Sequence, residues 1–204
     1  MAEIEYFYSA HSAYAYLGSA RLMELSQAAN RRIGHRPMDL RKVVAVTGPG
    51  STNGLTPSRR AYFSGREIVR WAEFRSAPVM QGIPVHHAKD MTLSNCMLIA
   101  GLLQGTNIDK LAHVLLEAHW RDDADLADKN TLTRLGMDAG VEPEPLLDAA
   151  LCAEVLAVYA ANTEEAIERS VFGSPTYFVD GDMFYGQDHL EMVERALERP
   201  FARG

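Results

Sequence analysis

The 204 residues contain only two cysteines, Cys96 and Cys152, and these stand far apart. Neither belongs to a Cys-x-x-Cys pair, so dithiol redox chemistry and a cysteine metal site have no basis in the sequence. Each neighbours an apolar helical run, Met97-Leu98-Ile99 or Val155-Leu156, which predicts a buried, inert thiol at both positions. Positive charge is also scarce. Against 27 Asp and Glu there are 20 Lys and Arg, giving a formal net charge of −7 with no basic run. Neither nucleic acid nor an anionic membrane surface is therefore an expected partner. No apolar stretch approaches the ~20 residues that cross a bilayer. No basic region followed by an apolar run opens the chain, so the expected location is cytoplasmic. The seven histidines lack ligand spacing: His86 and His87 are adjacent, and His113 and His119 are six apart rather than four. No metal is expected, and surface or core-edge positions are expected for every histidine but His11, which adjoins Ser12.

The remaining composition, 47% hydrophobic and 23% charged, can build a substantial core without a covalent staple. Near the start, Ile4, Tyr6 and Tyr8 alternate with other residues and predict a strand. Gly18, Leu22, Leu25 and Ala29 then fall at i, i+4, i+7 and i+11, predicting a helix to about Asn30 with Gly34 as its stop. His35 to Leu40 reads as a second strand. Ser12 sits between strand and helix. Serine is a preferred N-cap, and its hydroxyl there lies beside unpaired N–H groups at the positive end of the helix dipole. An anion brought to that point is stabilised.

Residues 41–57 read as irregular, since Thr47 to Gly54 is dense in turn formers. Thr56-Pro57 predicts the cap and first position of a helix, with Tyr62, Val69, Trp71 and Ala72 on its apolar face and Ala77-Pro78 beyond its end. Helices are expected over Leu93–Leu103, Asp109–Arg121, 131–139, 144–151, and Ala153 to about Ser170. Thr176–Val179 and Met183–Tyr185 flank Asp180-Gly181, a strong hairpin signal. Asp188 and Glu191 read as an acidic capping box for a last helix through Val193 to Leu197.

A β-α-β unit at one end and a β-β-α unit at the other, with about a hundred helical residues between, resembles the thioredoxin fold interrupted by a helical insertion, as in DsbA-like proteins. The fold class expected is α/β, with a thioredoxin-like domain from 1–55 and 170–204 and an all-helical insertion over 56–169. In that fold the reactive group sits at the start of the first helix, close to a proline that precedes the third strand. Ser12 and Pro175 hold those places. The resemblance narrows further. Phe7-Tyr8-Ser9-Ala10-His11-Ser12-Ala13-Tyr14-Ala15-Tyr16-Leu17-Gly18 resembles the F-Y-D-x-x-S-P-Y-S-Y-L-G opening of 2-hydroxychromene-2-carboxylate isomerases and kappa-class glutathione transferases. Phe172-Gly173-Ser174-Pro175-Thr176-Tyr177-Phe178-Val179 and Phe184-Tyr185-Gly186-Gln187-Asp188 are similar to their C-terminal signature. Ser9, Ala13 and Ala15 depart from the pattern, at its acidic residue, its proline and its second serine.

The resemblance implies glutathione as cofactor, which suits a chain without paired cysteines. It implies that Ser12 activates the glutathione sulfur. Ser174 and Pro175 would meet the peptide backbone, Gln187 and Asp188 the γ-glutamyl end, and Asn53 would be a further contact. From the residues alone, Asp188 reads equally as an ordinary N-cap. The implied reaction converts 2-hydroxychromene-2-carboxylate to trans-o-hydroxybenzylidenepyruvate in aromatic hydrocarbon degradation, by thiolate addition, rotation and elimination. For an aromatic carboxylate substrate, Tyr14, Tyr16, Tyr62 and Phe63 offer apolar walls, most of them more readily read as core, and Arg41, Lys42, Arg59 and Arg60 are candidate cations, each at least as readable as part of a solvated face. Two alternatives remain: a kappa-like glutathione transferase or peroxidase, and a non-catalytic thioredoxin-fold binding protein. A homodimer is implied by resemblance alone.

Overall fold

The computed structural model describes residues 2–48 and 56–202. Four strands form one sheet in the order β2-β1-β3-β4: β1 is Glu3–Tyr8, β2 Arg32–Pro37, β3 Thr176–Val179 and β4 Asp182–Tyr185. β1 runs parallel to β2, with Tyr6 opposite His35, and antiparallel to β3, with Tyr6 opposite Tyr177. Helix α1 (Ala13–Ala28) makes the crossover. Asn30, at φ 50°, ends that helical run in the left-handed conformation asparagine tolerates. The second strand therefore starts earlier than expected, and Gly34 is not the helix stop. It lies within β2, opposite Glu5.

Both faces of β1 are covered. Ile4, Tyr6 and Tyr8 point into the main core, whereas Phe7 joins a smaller one with Val43, Ala166 and Phe178. The second cluster explains a helix that the sequence conceals. Residues 40–47 are not irregular but form α2 (Leu40–Thr47), whose N-cap Asp39 accepts a bond from the Lys42 N–H at 3.0 Å. Val43 is its one fully buried residue; Leu40, Val43 and Val44 fall at i, i+3 and i+4, but this two-turn period runs straight into the turn formers after Thr47. Residues 49–55, the rest of the predicted loop, lie outside the described residues.

Thr56 and Pro57 begin α3 (Pro57–Ala61) as expected. A π-helical turn (Tyr62–Arg66) then leads into α4 (Glu67–Phe74). Such a turn inserts a residue and rotates the helix face. Ile68 and Ala72 are consequently buried, while Tyr62 and Val69, expected inside, are 47% and 49% exposed. The remaining helices follow the predicted spans closely: α5 (Thr92–Leu103), α6 (Asp109–Asp122), α7 (Lys129–Ala139), α8 (Pro143–Ala149) and α9 (Ala153–Glu168). Among the described residues no single helix is long and apolar enough to cross a membrane. Cys96 is buried in α5, where burial pushes its thiol up to about 12. Cys152 is exposed at the N-cap of α9, against expectation.

The chain closes with a short 3-10 turn (Gln187–His189) and α10 (Leu190–Glu198). The predicted capping box does not form: Glu191 pairs with Arg75, and the helix lacks a side-chain cap. Two histidines expected at the surface or core edge are buried instead. His35 joins Tyr8 Oη at 2.9 Å to Asp109 Oδ1 at 2.9 Å, tying β1, β2 and α6 together. His119 lies within α6, fully buried.

Candidate active site

β1 ends in the turn Ser9-Ala10-His11-Ser12, closed by the Ser12 N–H donating to the Ser9 carbonyl at 3.0 Å. Ser12 is the N-cap of α1, its Oγ accepting from the Ala15 N–H at 3.3 Å. The same hydroxyl donates to the Ser174 carbonyl at 3.1 Å. In return, the Ser9 N–H donates to Ser174 Oγ at 3.4 Å. Ser174 precedes Pro175, and the peptide between them is cis. The Pro175 carbonyl then accepts from the Gly186 N–H at 2.9 Å, which brings residues 186–188 to the same end of the sheet. Three segments distant in sequence thus converge where α1 begins. The first N–H groups of α1, which have no partner within the helix, give this end its affinity for negative charge.

Gln187 is buried, with its Oε1 and backbone carbonyl both accepting from Arg75 at 3.0 Å. Its Nε2 is buried without a partner among the described residues. Such a donor calls for a bonding group that no described residue provides. Asp188 is exposed, with its carboxylate 3.5 Å from His189 Nδ1. Arg75 organises this corner and had no signal in the sequence. The Tyr14 hydroxyl donates to the Phe63 carbonyl at 2.8 Å, so it anchors α1 to the π-helical turn. Burial raises its pKa, with further contributions from Glu67, Tyr185 and Asp188.

Behind Ser12 lies a polar cluster assembled from residues far apart in the chain. Asn95 Oδ1 accepts from the Ala10 N–H at 2.9 Å, and its Nδ2 donates to Ser9 Oγ at 3.1 Å. Ser9 Oγ also bonds His11 Nδ1 at 2.9 Å. Trp120 Nε1 donates to the His11 carbonyl at 2.8 Å. His11 therefore engages Ser9 rather than Ser12, and among the described residues no Ser-His-Asp triad forms. The one available clue was Asn95, a polar residue inside the apolar run Leu93–Leu103. Beside His11 stands His87, with ring centroids 5.0 Å apart, and beyond it His119. Burial, followed by His87, Arg41 and His119, lowers the His11 pKa to about 3. Burial, followed by His119 and Arg41, lowers that of His87 to about 4.

Arg41 donates to the carbonyls of His87 at 3.1 Å and Lys89 at 3.0 Å. With Ser9 and His11 it lines a cavity of about 110 Å³. A larger cavity of about 670 Å³ lies away from Ser12, against His35 and Asp109. Its arginines, Arg31 and Arg32, are already paired with Asp180 and Glu3. Lys42 and Arg59 are exposed on α2 and α3, and neither side chain bonds to Ser9, His11, Ser12 or Ser174 among the described residues. Asn53 lies outside the described residues.

Comparison with known proteins agrees with this frame. A family model described as a DSBA-like thioredoxin domain matches residues 3–198. The 2-hydroxychromene-2-carboxylate isomerase of Pseudomonas putida is 28% identical, over 96% of this chain and 94% of its own length. A solved 2-hydroxychromene-2-carboxylate isomerase superposes with a TM-score of 0.77 at 22% identity, over 96% of this chain and 94% of its own. The cytosolic disulfide reductase DsbM of Pseudomonas aeruginosa, solved with GSH, has a TM-score of 0.64 at 15% identity, over 97% and 93% of the two chains, a likeness of fold alone. The resemblance drawn from the two terminal motifs, and the fold it implied, are both borne out.

Proposed function

The chain belongs to the DSBA-like thioredoxin domain family, and within it we propose a glutathione-dependent isomerase of 2-hydroxychromene-2-carboxylate-type substrates. The observation that carries this reading is the Ser12 hydroxyl, held at the start of α1 against the carbonyl that precedes Pro175. The residues present suit glutathione. Ser12 and the first N–H groups of α1 would face its sulfur, Ser174 its backbone, and the unpartnered Gln187 Nε2, with Asp188, its γ-glutamyl end. When bound, glutathione supplies a thiolate that Cys96, buried with a raised pKa, cannot. The role of Ser12 is to give a hydrogen bond to that sulfur, exchanging its bond to Ser174. Arg41, beside His11, is the cation for the substrate carboxylate. The curated relatives named as isomerases favour this activity over the transferase and binding-protein readings. The reading includes a cytoplasmic homodimer taking part in aromatic hydrocarbon degradation.

The test begins with calorimetry of glutathione binding and the ultraviolet thiolate band of the complex. We expect binding, and a band that weakens in Ser12→Ala. An unchanged band would remove the role assigned to Ser12. Turnover of hydroxychromene carboxylate is expected to exceed that of chloro-dinitrobenzene, and the reverse order would make the protein a transferase.

A further inference from the structure

Hydrogen-bond donors and acceptors fix the protonation pattern of the histidines near Ser12. A carbonyl can only accept, so the bond between His119 Nδ1 and the Ala124 carbonyl, at 3.0 Å, places a proton on Nδ1. In the neutral ring, His119 Nε2 is then an acceptor. Its partner at 3.2 Å, His87 Nδ1, must therefore be the donor. This leaves His87 Nε2 bare. A second chain of bonds fixes His11. The Ala10 N–H orients the Asn95 amide, whose Nδ2 donates to Ser9 Oγ. Among the described residues His11 Nδ1 is the one acceptor bonded to Ser9 Oγ, so the hydroxyl proton is directed to it and the proton of His11 stands on Nε2. The two neighbouring rings thus present opposite faces, an acceptor on His87 and a donor on His11. No described residue bonds either Nε2.

Arg41 completes the group, since it lines a cavity with His11 and donates to the His87 carbonyl. The other charged groups nearby are already engaged. Asp39 caps α2, Asp90 accepts from Thr92, and Lys89 pairs with Asp125 beside His86.

We propose that Arg41, His87 and His11 recognise the three oxygen functions on one carbon of the substrate, and that His87 relays the proton that opens its ring. This rests on the isomerase reading. C2 of a 2-hydroxychromene-2-carboxylate carries a carboxylate, a hydroxyl and the ring oxygen. Arg41 holds the carboxylate. His87 Nε2 takes the hydroxyl proton, the freed electron pair forms the C2 carbonyl, and the bond from C2 to the ring oxygen breaks with its pair going to that oxygen. The His11 Nε2–H donates a hydrogen bond to the resulting phenolate, and His87 then returns its proton there. In this ring-opening step one proton moves from one oxygen to the other, and the thiolate of glutathione is left for the isomerisation that follows. His119 is a positioning residue that fixes the tautomer of His87.

Nitrogen-15 NMR of the imidazoles reads the tautomers without substrate. We expect His87 protonated at Nδ1 and bare at Nε2, and this pattern lost in His119→Phe. A proton on His87 Nε2 in the unsubstituted protein overturns the proposal. In kinetics, His87→Gln is expected to lower kcat by ~100-fold, the scale of general acid–base catalysis, with glutathione affinity unchanged. Imidazole is expected to restore part of the rate in His87→Gly. If His87→Gln turns over at the unsubstituted rate, the relay is wrong while the isomerase reading stands. If the unsubstituted protein turns over no hydroxychromene carboxylate, both fall.

Discussion

The hydroxyl of Ser12 donates to the carbonyl of Ser174 across 3.1 Å, joining two residues 162 positions apart in sequence. The bond pins the start of α1 to the loop before β3. It also occupies the hydroxyl proton that a bound sulfur would claim. Ser12→Ala removes a helix cap worth about 1 kcal/mol. It leaves the Ser174 carbonyl short of a donor, at a further cost of about 1–3 kcal/mol. For a chain of this size we expect Tm to fall by about 5–10 °C in a circular dichroism melt. An unchanged Tm would mean that the bond contributes nothing to the fold.

Gly18 lies in the middle of α1, where alanine would ordinarily gain about 1 kcal/mol of helix propensity. A Cβ at that position would sit 2.7 Å from Gln187 Cβ and 3.0 Å from the Tyr177 hydroxyl. The Gln187 contact is at the root of a buried side chain and cannot swing away. Overpacking of this kind costs about 1–3 kcal/mol, so the steric term wins. Gly18→Ala is expected to lower the urea midpoint; a raised midpoint would show that α1 and the Gln187 turn can separate.

Arg75 satisfies the Gln187 carbonyl, the Gln187 Oε1 and Glu191 together. Arg75→Met keeps much of the packing against Trp71 and Phe74 but strands buried acceptors. The expected loss is about 2–4 kcal/mol, measured by denaturant unfolding. Glutathione affinity should fall with it, because Gln187 and Asp188 lose their support. Affinity equal to that of the unsubstituted chain would separate this corner from the proposed cofactor site.

His11 and His87 have pKa values lowered to about 3 and about 4 in the fold, chiefly by burial. Between those values and the ordinary 6.5, the unfolded chain binds more protons than the folded one. Stability therefore rises with pH through that window. The His contribution is fully present above pH 6.5 and is lost as acid approaches pH 3. Replacing His11 and His87 together by glutamine should flatten the slope of unfolding free energy between about pH 4 and 6.5. A double variant with the same slope would assign the acid sensitivity elsewhere.

Cys152 is exposed and Cys96 buried. An alkylating reagent should modify one thiol in the native protein and two in denaturant, with mass spectrometry locating the first at Cys152. Native modification of Cys96 would show that α5 opens readily.

Much of this architecture is legible in the sequence. The alternation of Ile4, Tyr6 and Tyr8, the hairpin at Asp180-Gly181 and the capping signal at Ser12 are local, and local rules located them. The concealed parts have a common cause. α2 is only two turns long and runs into the turn formers after Thr47, so the short period of Leu40, Val43 and Val44 does not stand out. The π-helical turn at Tyr62–Arg66 rotates the face of α4 by an insertion that no pattern announces. Cys152 sits beside an apolar run yet faces outward, because it caps α9 instead of entering it.

The site divides the same way. The sequence alone placed a serine at a helix N-terminus and a proline before a strand, and their motifs pointed to the family that the comparisons support. It also determined that no cysteine pair was available. Only the tertiary structure decided that Ser12 meets Ser174, that Arg75 governs Gln187, and that His11, His87 and His119 stand in line. Caps, turns and periods depend on neighbours within a few residues, whereas a hydrogen bond depends on distances below about 3.5 Å. Those distances were set by packing α5, α6 and the Val85–Ala88 turn against the end of β1.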